Sequence, residues 1–113
     1  SKKSFGPAHL RALNLIERNP GISLGEIMFK LKITKQSLNR VLRELLHAKM
    51  IKQIKDDDDT RRKNIYLDKE GKFFFDKVYE SQKKRIFYAL KNSDPKSVIQ
   101  FKEVLNKIVN GAW

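Results

Sequence analysis

Thr34-Lys35-Gln36-Ser37-Leu38-Asn39-Arg40-Val41-Leu42-Arg43-Glu44-Leu45-Leu46-His47 is the stretch on which the fold turns. Leu38, Val41, Leu42 and Leu45 fall at i, i+3, i+4 and i+7, the spacing that gathers apolar side chains on one face of an α-helix. Thr34, just ahead, is a good N-cap, worth about 1 kcal/mol over alanine. The remaining face carries Lys35, Gln36, Asn39, Arg40 and Arg43. Of these, Gln36, Arg40 and Arg43 recur with His47 at i, i+4, i+7 and i+11, so they share an outward side.

Upstream, Ser23 and Glu26 form an S-x-x-E capping box in which each side chain can satisfy an N–H near a helix start. Leu24, Ile27, Met28 and Leu31 then repeat the same apolar spacing, and Lys32 and Ile33 leave room only for a tight turn. Two short amphipathic helices joined this way, the second with a basic and amide-rich outer face, make a helix-turn-helix. Before them a helix is predicted from about Ala8 to Arg18, with Pro7 in its first turn, Leu10, Leu13 and Ile16 on one face, and Asn19-Pro20-Gly21 as its stop.

Downstream, Ile51 to Lys55 and Lys63 to Leu67 suit short strands, with Ile65 and Leu67 on one face and Asn64 and Tyr66 on the other. The all-polar segment from Asp56 to Arg62 reads as the exposed tip of a hairpin, a wing. Asp68 is placed to N-cap a long helix running to about Lys91 and carrying Phe74, Phe75, Val78, Tyr79, Ile86, Phe87 and Leu90. Ser93-Asp94-Pro95 restarts the chain into a last helix marked by Val98, Phe101, Leu105 and Ile108 and stopped by Asn110 and Gly111. The predicted fold class is mainly α with a small β-wing (α+β), a winged helix-turn-helix followed by two C-terminal helices. It is expected as one compact domain, with residues 5–71 forming the winged region and residues 68–113 the C-terminal helices.

Composition narrows the chemistry. Lys and Arg total 25 against 13 Asp and Glu over 113 residues, a net charge of +12, which favours a polyanionic partner, nucleic acid first. The absence of cysteine removes disulfides, thiolate metal sites and thiol redox sensing. No apolar run approaches the roughly 18 residues of a spanning helix, and no signal peptide is visible, so a cytoplasmic location without membrane contact is expected. No G-x-S-x-G, Walker loop or H-E-x-x-H motif is present, so catalysis is not expected. His9 and His47 sit on different predicted helices without companion ligands, and Asp56 to Asp59 lack the spacing and glycine of a calcium loop, so neither a metal nor another cofactor is expected. The chain starts at Ser1 without a methionine, which reads as a piece of a longer chain.

The order of elements, together with Asn19-Pro20-Gly21-Ile22-Ser23, the core Leu31 to Val41, and the wing Asp58-Asp59-Thr60-Arg61-Arg62-Lys63 leading to Tyr66-Leu67 and Gly71, resembles the MarR family of bacterial transcription regulators. The wording of Phe5-Gly6-Pro7-Ala8-His9 and of Ile33 to Arg40 is similar to that of PetP-type alphaproteobacterial members. The resemblance implies a homodimer on a pseudo-palindromic duplex operator, acting as repressor or activator, one recognition helix in each major groove and each wing at the adjacent minor groove. It also implies a small-molecule effector, for which Phe73, Phe74, Phe75, Tyr79, Phe87, Tyr88, Phe101 and Trp113 are candidates. Core or subunit interface is the stronger reading of those aromatics. The chain departs from the family in two places. Lys49 stands where members often have glycine, so a strained helix end is expected there, and the helix that precedes Ala8 in members is lacking, which bears on dimerisation.

Candidate DNA contacts sort into readers and positioners. Gln36 can pair with adenine and Arg40 with guanine, each bidentate contact discriminating by roughly 1 to 3 kcal/mol. Thr34 and Lys35 stand at a helix N-terminus, where N–H groups favour a phosphate; Arg43 shares the outward face, and Ser37 and Asn39 match family positions that touch DNA. By resemblance Arg61 is the minor-groove arginine and Asp59 the carboxylate that orients it, with Arg62 beside them. Asp56 to Asp58 read only as a solvated tip. Two other readings compete with a sequence-specific regulator: a basic architectural protein coating DNA without preference, and a winged-helix module that binds proteins.

Overall fold

A computed structural model describes residues 5–110, so Gly111 and Trp113, named above as helix stop and aromatic, lie outside the described residues. Along the chain run α1 (Pro7–Arg18), β1 (Ile22–Ser23), α2 (Leu24–Leu31), α3 (Lys35–His47), β2 (Ile51–Lys55), β3 (Lys63–Leu67), α4 (Lys69–Lys91) and α5 (Pro95–Val109). The mainly α class with a small β-wing is what the periodicities predict. The sheet is antiparallel in the order β1-β3-β2, with Ile51 opposite Leu67, Gln53 opposite Ile65 and Lys55 opposite Lys63.

The strand β1 was not expected. Two residues are too few for any alternation to show. It exists because Gly21, at φ +88°, turns the chain so that its N–H donates to the Ile65 carbonyl at 2.9 Å, bringing Ile22 opposite Ile65.

The contacts divide the chain between Phe75 and Asp76 into two units. The first turns of α4 belong to the winged core, with Gly71 and Phe75 buried in it. That core centres on Leu13, Ile16, Ile27, Leu38, Leu45, Ile51 and Ile65, all fully buried. In α1 the inward face is Ala12, Leu13, Leu15 and Ile16, whereas Leu10, assigned to the stripe, is 41% exposed. The reason is that α1 is contacted from several sides, by α2, α3 and β3, so its buried sector is centred later than the simple stripe suggests.

The end of α3 turns back through Lys49, whose φ of 58° is left-handed. Its N–H donates to the Leu46 carbonyl at 3.0 Å and that of Met50 to Leu45 at 2.9 Å, the paired bonds of a Schellman cap, which glycine suits best. The strain expected at this non-glycine position is present. Lys49→Gly should raise stability by about 0.5 to 1 kcal/mol, seen as a higher urea midpoint at unchanged slope, since a side chain in this region costs about 1 kcal/mol or more.

The same turn caps α4. The N–H of Asp68 donates to the Met50 carbonyl at 2.9 Å and that of Glu70 to the Lys49 carbonyl at 3.1 Å. The helix starts where expected, but the Asp68 carboxylate takes only the adjacent Lys69 N–H, at 2.8 Å, because these main-chain carbonyls already occupy its first turn.

In the second unit, Asp94 caps α5 by accepting from the Ser97 N–H at 2.9 Å, a bond that holds its carboxyl below the usual range. None of its described residues is buried. Ile86, Phe87, Tyr88, Phe101 and Leu105 all lie at the surface. Ile86, Ala89, Leu90, Val98 and Phe101 line an open apolar cleft of about 400 Å³.

Candidate nucleic-acid interface

The outward face of α3 is built by what lies beneath it. Leu38, Val41, Leu42 and Leu45 are buried, which fixes the rotation of the helix and leaves Lys35, Gln36, Ser37, Asn39, Arg40, Arg43 and His47 exposed. At the start of the helix the Thr34 hydroxyl accepts from the Ser37 N–H at 3.1 Å. That bond settles one free N–H, and Lys35 and Gln36 follow in the first turn, where the helix dipole favours an anion.

From behind, α3 is braced by a contact the sequence did not suggest. His9 Nδ1 accepts from the Gly6 N–H at 3.1 Å, which leaves the proton on Nε2 to be donated to Glu44 at 2.7 Å. His9 therefore links the first turn of α1 to the last turns of α3. His47, the other histidine, is exposed as the last residue of α3.

At the wing, two aspartates fold the tip onto itself. Asp56 accepts from the Asp58 N–H at 2.9 Å, and Asp59 accepts from the Arg61 N–H at 3.0 Å and from Arg61 Nε at 3.4 Å. Asp59 thus holds both the main chain and the head of Arg61, whose side chain is 91% exposed. A guanidinium presented this way, on a hairpin tip and oriented by one carboxylate, is free to enter a narrow, electronegative groove.

Arg62 is placed quite differently. It donates from Nη2 to Glu26 at 3.2 Å and from Nε to Asn64 at 3.1 Å, with Asp56 at 3.7 Å. The Ser23 N–H and hydroxyl hold the Glu26 carboxyl below its usual range, with Arg62 and Lys30 adding to that. The Asp58 N–H does the same for Asp56. Both stay ionised at neutral pH, so the charge of Arg62 is met by two carboxylates.

Between α3 and the wing lies a groove of about 630 Å³ lined by Asn39, Arg43, Arg61 and Arg62 of the expected residues, with Gln53 and Lys63 beside them. Thr34, Lys35, Gln36, Ser37 and Arg40 are not among its lining residues. The predicted residues therefore fall into two groups, one around this groove and one along the N-terminal half of α3, with Asp59 apart from both on the wing tip. Gln53, Lys63, Asp56 and Glu26 were missed. The hairpin register could have found Asp56: with Lys55 opposite Lys63, the next rung sets Asp56 against Arg62.

Residues 4–62 match the sequence model of the MarR family. The chain belongs to that family. It is 32% identical, over 96% of its own length, to the HTH-type transcriptional regulator PetP of Rhodobacter capsulatus, of which it spans 65%. Solved structures share the architecture. A mutant MepR from an S. aureus clinical isolate superposes with a TM-score of 0.68 at 22% identity, over 96% of this chain and 80% of that one. Streptococcus pneumoniae FabT, solved in complex with DNA, does so at 0.65 with 14% identity, over 97% and 77%. Within the MarR fold, α2 and α3 are the helix-turn-helix and β2 and β3 the wing. Among the described residues no helix is long and apolar enough to cross a membrane.

Proposed function

We propose that this MarR-family chain is a bacterial, cytoplasmic, sequence-specific regulator of transcription that binds duplex DNA as a homodimer. The observation that carries the reading is the pairing of an exposed α3 face, bearing Gln36 and Arg40, with a wing that holds Arg61 outward on Asp59. In this reading α3 enters the major groove. Gln36 and Arg40 read base edges, Lys35, Ser37, Asn39 and Arg43 fix register on the backbone, and Thr34 shapes the helix start. Arg61 occupies the minor groove. The PetP relative is described as a transcriptional regulator, and FabT was solved with DNA, which supports the partner.

The apolar residues left at the surface of α4 and α5 favour a second copy of the chain as the dimer partner, residues 68–113 serving that role. A small-molecule effector that shifts operator affinity completes the reading.

Selection from random duplexes tests it, followed by titration of the winners and of scrambled controls at several salt concentrations. An enriched inverted repeat, bound far more tightly than the controls, is expected. No enrichment, with affinity falling steeply with salt on every duplex, would instead mark phosphate-driven binding by a +12 chain.

A further inference from the structure

Arg61 and Arg62 are neighbours in sequence with opposite circumstances. The Arg61 side chain is 91% exposed and touches only its own hairpin's Asp59, whereas Arg62 is 47% exposed and reaches Glu26, 36 residues away. Glu26 is not a free surface carboxylate. It accepts from the Ser23 N–H at 3.1 Å and from the Ser23 hydroxyl at 2.9 Å, as the far half of the α2 capping box. Its carboxylate is therefore held at the first turn of α2, the start of the helix-turn-helix.

At the other end, Arg62 closes the hairpin. The Asp56 N–H donates to the Arg62 carbonyl at 3.0 Å, and the Arg62 side chain also engages Asn64 and Asp56. One guanidinium thus joins both sides of the wing's tip loop to the start of α2. A fork of several N–H donors in one plane makes such a bridge, which a lysine ammonium cannot reproduce in the same geometry.

We propose that Arg62 is a positioning residue: by tying Asp56 and Asn64 of the wing to Glu26 of α2, it sets the wing against the helix-turn-helix and holds Arg61 at its reach. The role rests on the reading that this chain binds duplex DNA. It moves Arg62 from the DNA contacts to their support, and it gives Glu26, an acidic residue at the edge of a basic groove, a purpose. With carboxylates at 3.2 and 3.7 Å, Arg62 has little uncompensated charge to offer a phosphate.

The two roles differ in sign at Glu26. If Arg62 were a phosphate contact, Glu26→Ala would release it and remove a negative charge, so DNA would bind more tightly. If Arg62 is a tether, the same substitution frees the wing and DNA binds more weakly. The experiment measures affinity for one selected duplex across a salt series, for the wild type, Arg62→Ala, Glu26→Ala, the double variant, and two controls. Glu26→Gln keeps an acceptor in place. Ser23→Ala removes the α2 cap hydroxyl and leaves Glu26 to Arg62. In the same variants without DNA, amide exchange is read at Asp58 and Arg61, whose N–H groups the wing carboxylates hold.

Arg62→Ala and Glu26→Ala should each weaken binding roughly five-fold, with the double variant no weaker than the worse single one, as coupled partners behave. The salt slope should be unchanged, and wing amides should exchange faster in both single variants. Glu26→Gln and Ser23→Ala should retain most of the affinity. Tighter binding by Glu26→Ala would overturn the proposal, as would a salt slope that falls by about 0.9 in Arg62→Ala. Unchanged wing exchange in Arg62→Ala would do the same. Failure of the wild type to bind any duplex would remove the DNA reading and the positioning role with it, while the exchange data would still decide whether Arg62 orders the wing.

Discussion

Gly71→Ala is expected to destabilise the winged unit by roughly 3 kcal/mol or more, a large part of the ~5 to 15 kcal/mol that holds a domain of this size. A Cβ built on Gly71 overlaps the Met50 carbonyl oxygen and lies 3.2 Å from the carbonyl carbon and 3.1 Å from Leu67 Cδ2. The obstacle is main chain, so no rotamer change relieves it. Moving α4 away would lengthen the bonds from the Asp68 and Glu70 N–H groups to Met50 and Lys49, which cap the helix. It would also draw Phe75 out of a core where it is 7% exposed. Urea unfolding followed by circular dichroism checks the expectation. A midpoint within experimental scatter of the wild type would mean that α4 can shift without cost and that its docking on the α3–β2 turn is loose.

How much of this was legible in the sequence depends on the range of the interaction that fixes each part. Elements whose cause is local were readable to the residue. The strands at 51–55 and 63–67 follow from their composition and the polar tip between them, and the Ser23–Glu26 box marks the start of α2. Lys49 stood out only because members of the resembled family often carry glycine there, and its positive φ is the one a Schellman turn requires. What escaped was set by chain segments far apart. Strand β1 depends on Gly21 meeting Ile65, and the brace on α3 joins His9 to Glu44 across 35 positions.

The site shows the same division. Periodicity placed the outward face of α3 correctly, since a buried leucine stripe leaves only one sector for Gln36, Arg40 and Arg43. Arg62 was grouped with Arg61 because adjacency and charge are all that a sequence displays. Its partner Glu26 had already been given a local task in the capping box, and nothing in the linear order says that a carboxylate with one task has a second.

Under the proposed reading, Arg61→Ala should lower affinity for the selected operator roughly thirty-fold, or about 2 kcal/mol at 1.4 kcal/mol per factor of ten, without a change in thermal midpoint. The side chain is nearly fully exposed, so the fold loses nothing when it is trimmed, whereas the wing loses the guanidinium it presents most openly. Asp59 would still accept from the residue 61 N–H, so the tip keeps its turn and the loss reports on the head group alone. Arg40→Ala makes the contrast. A bidentate reader of guanine should relax preference at one base pair per half-site by about 1 to 3 kcal/mol and leave the other positions as selective as before. Repeating the duplex selection with both variants separates the two. Unchanged affinity in Arg61→Ala would sink the wing assignment, because no other wing arginine faces solvent without two carboxylates beside it. A uniform loss across sequences in Arg40→Ala would make Arg40 a phosphate contact, and base reading by α3 would then rest on Gln36 and the shorter polar residues beside it.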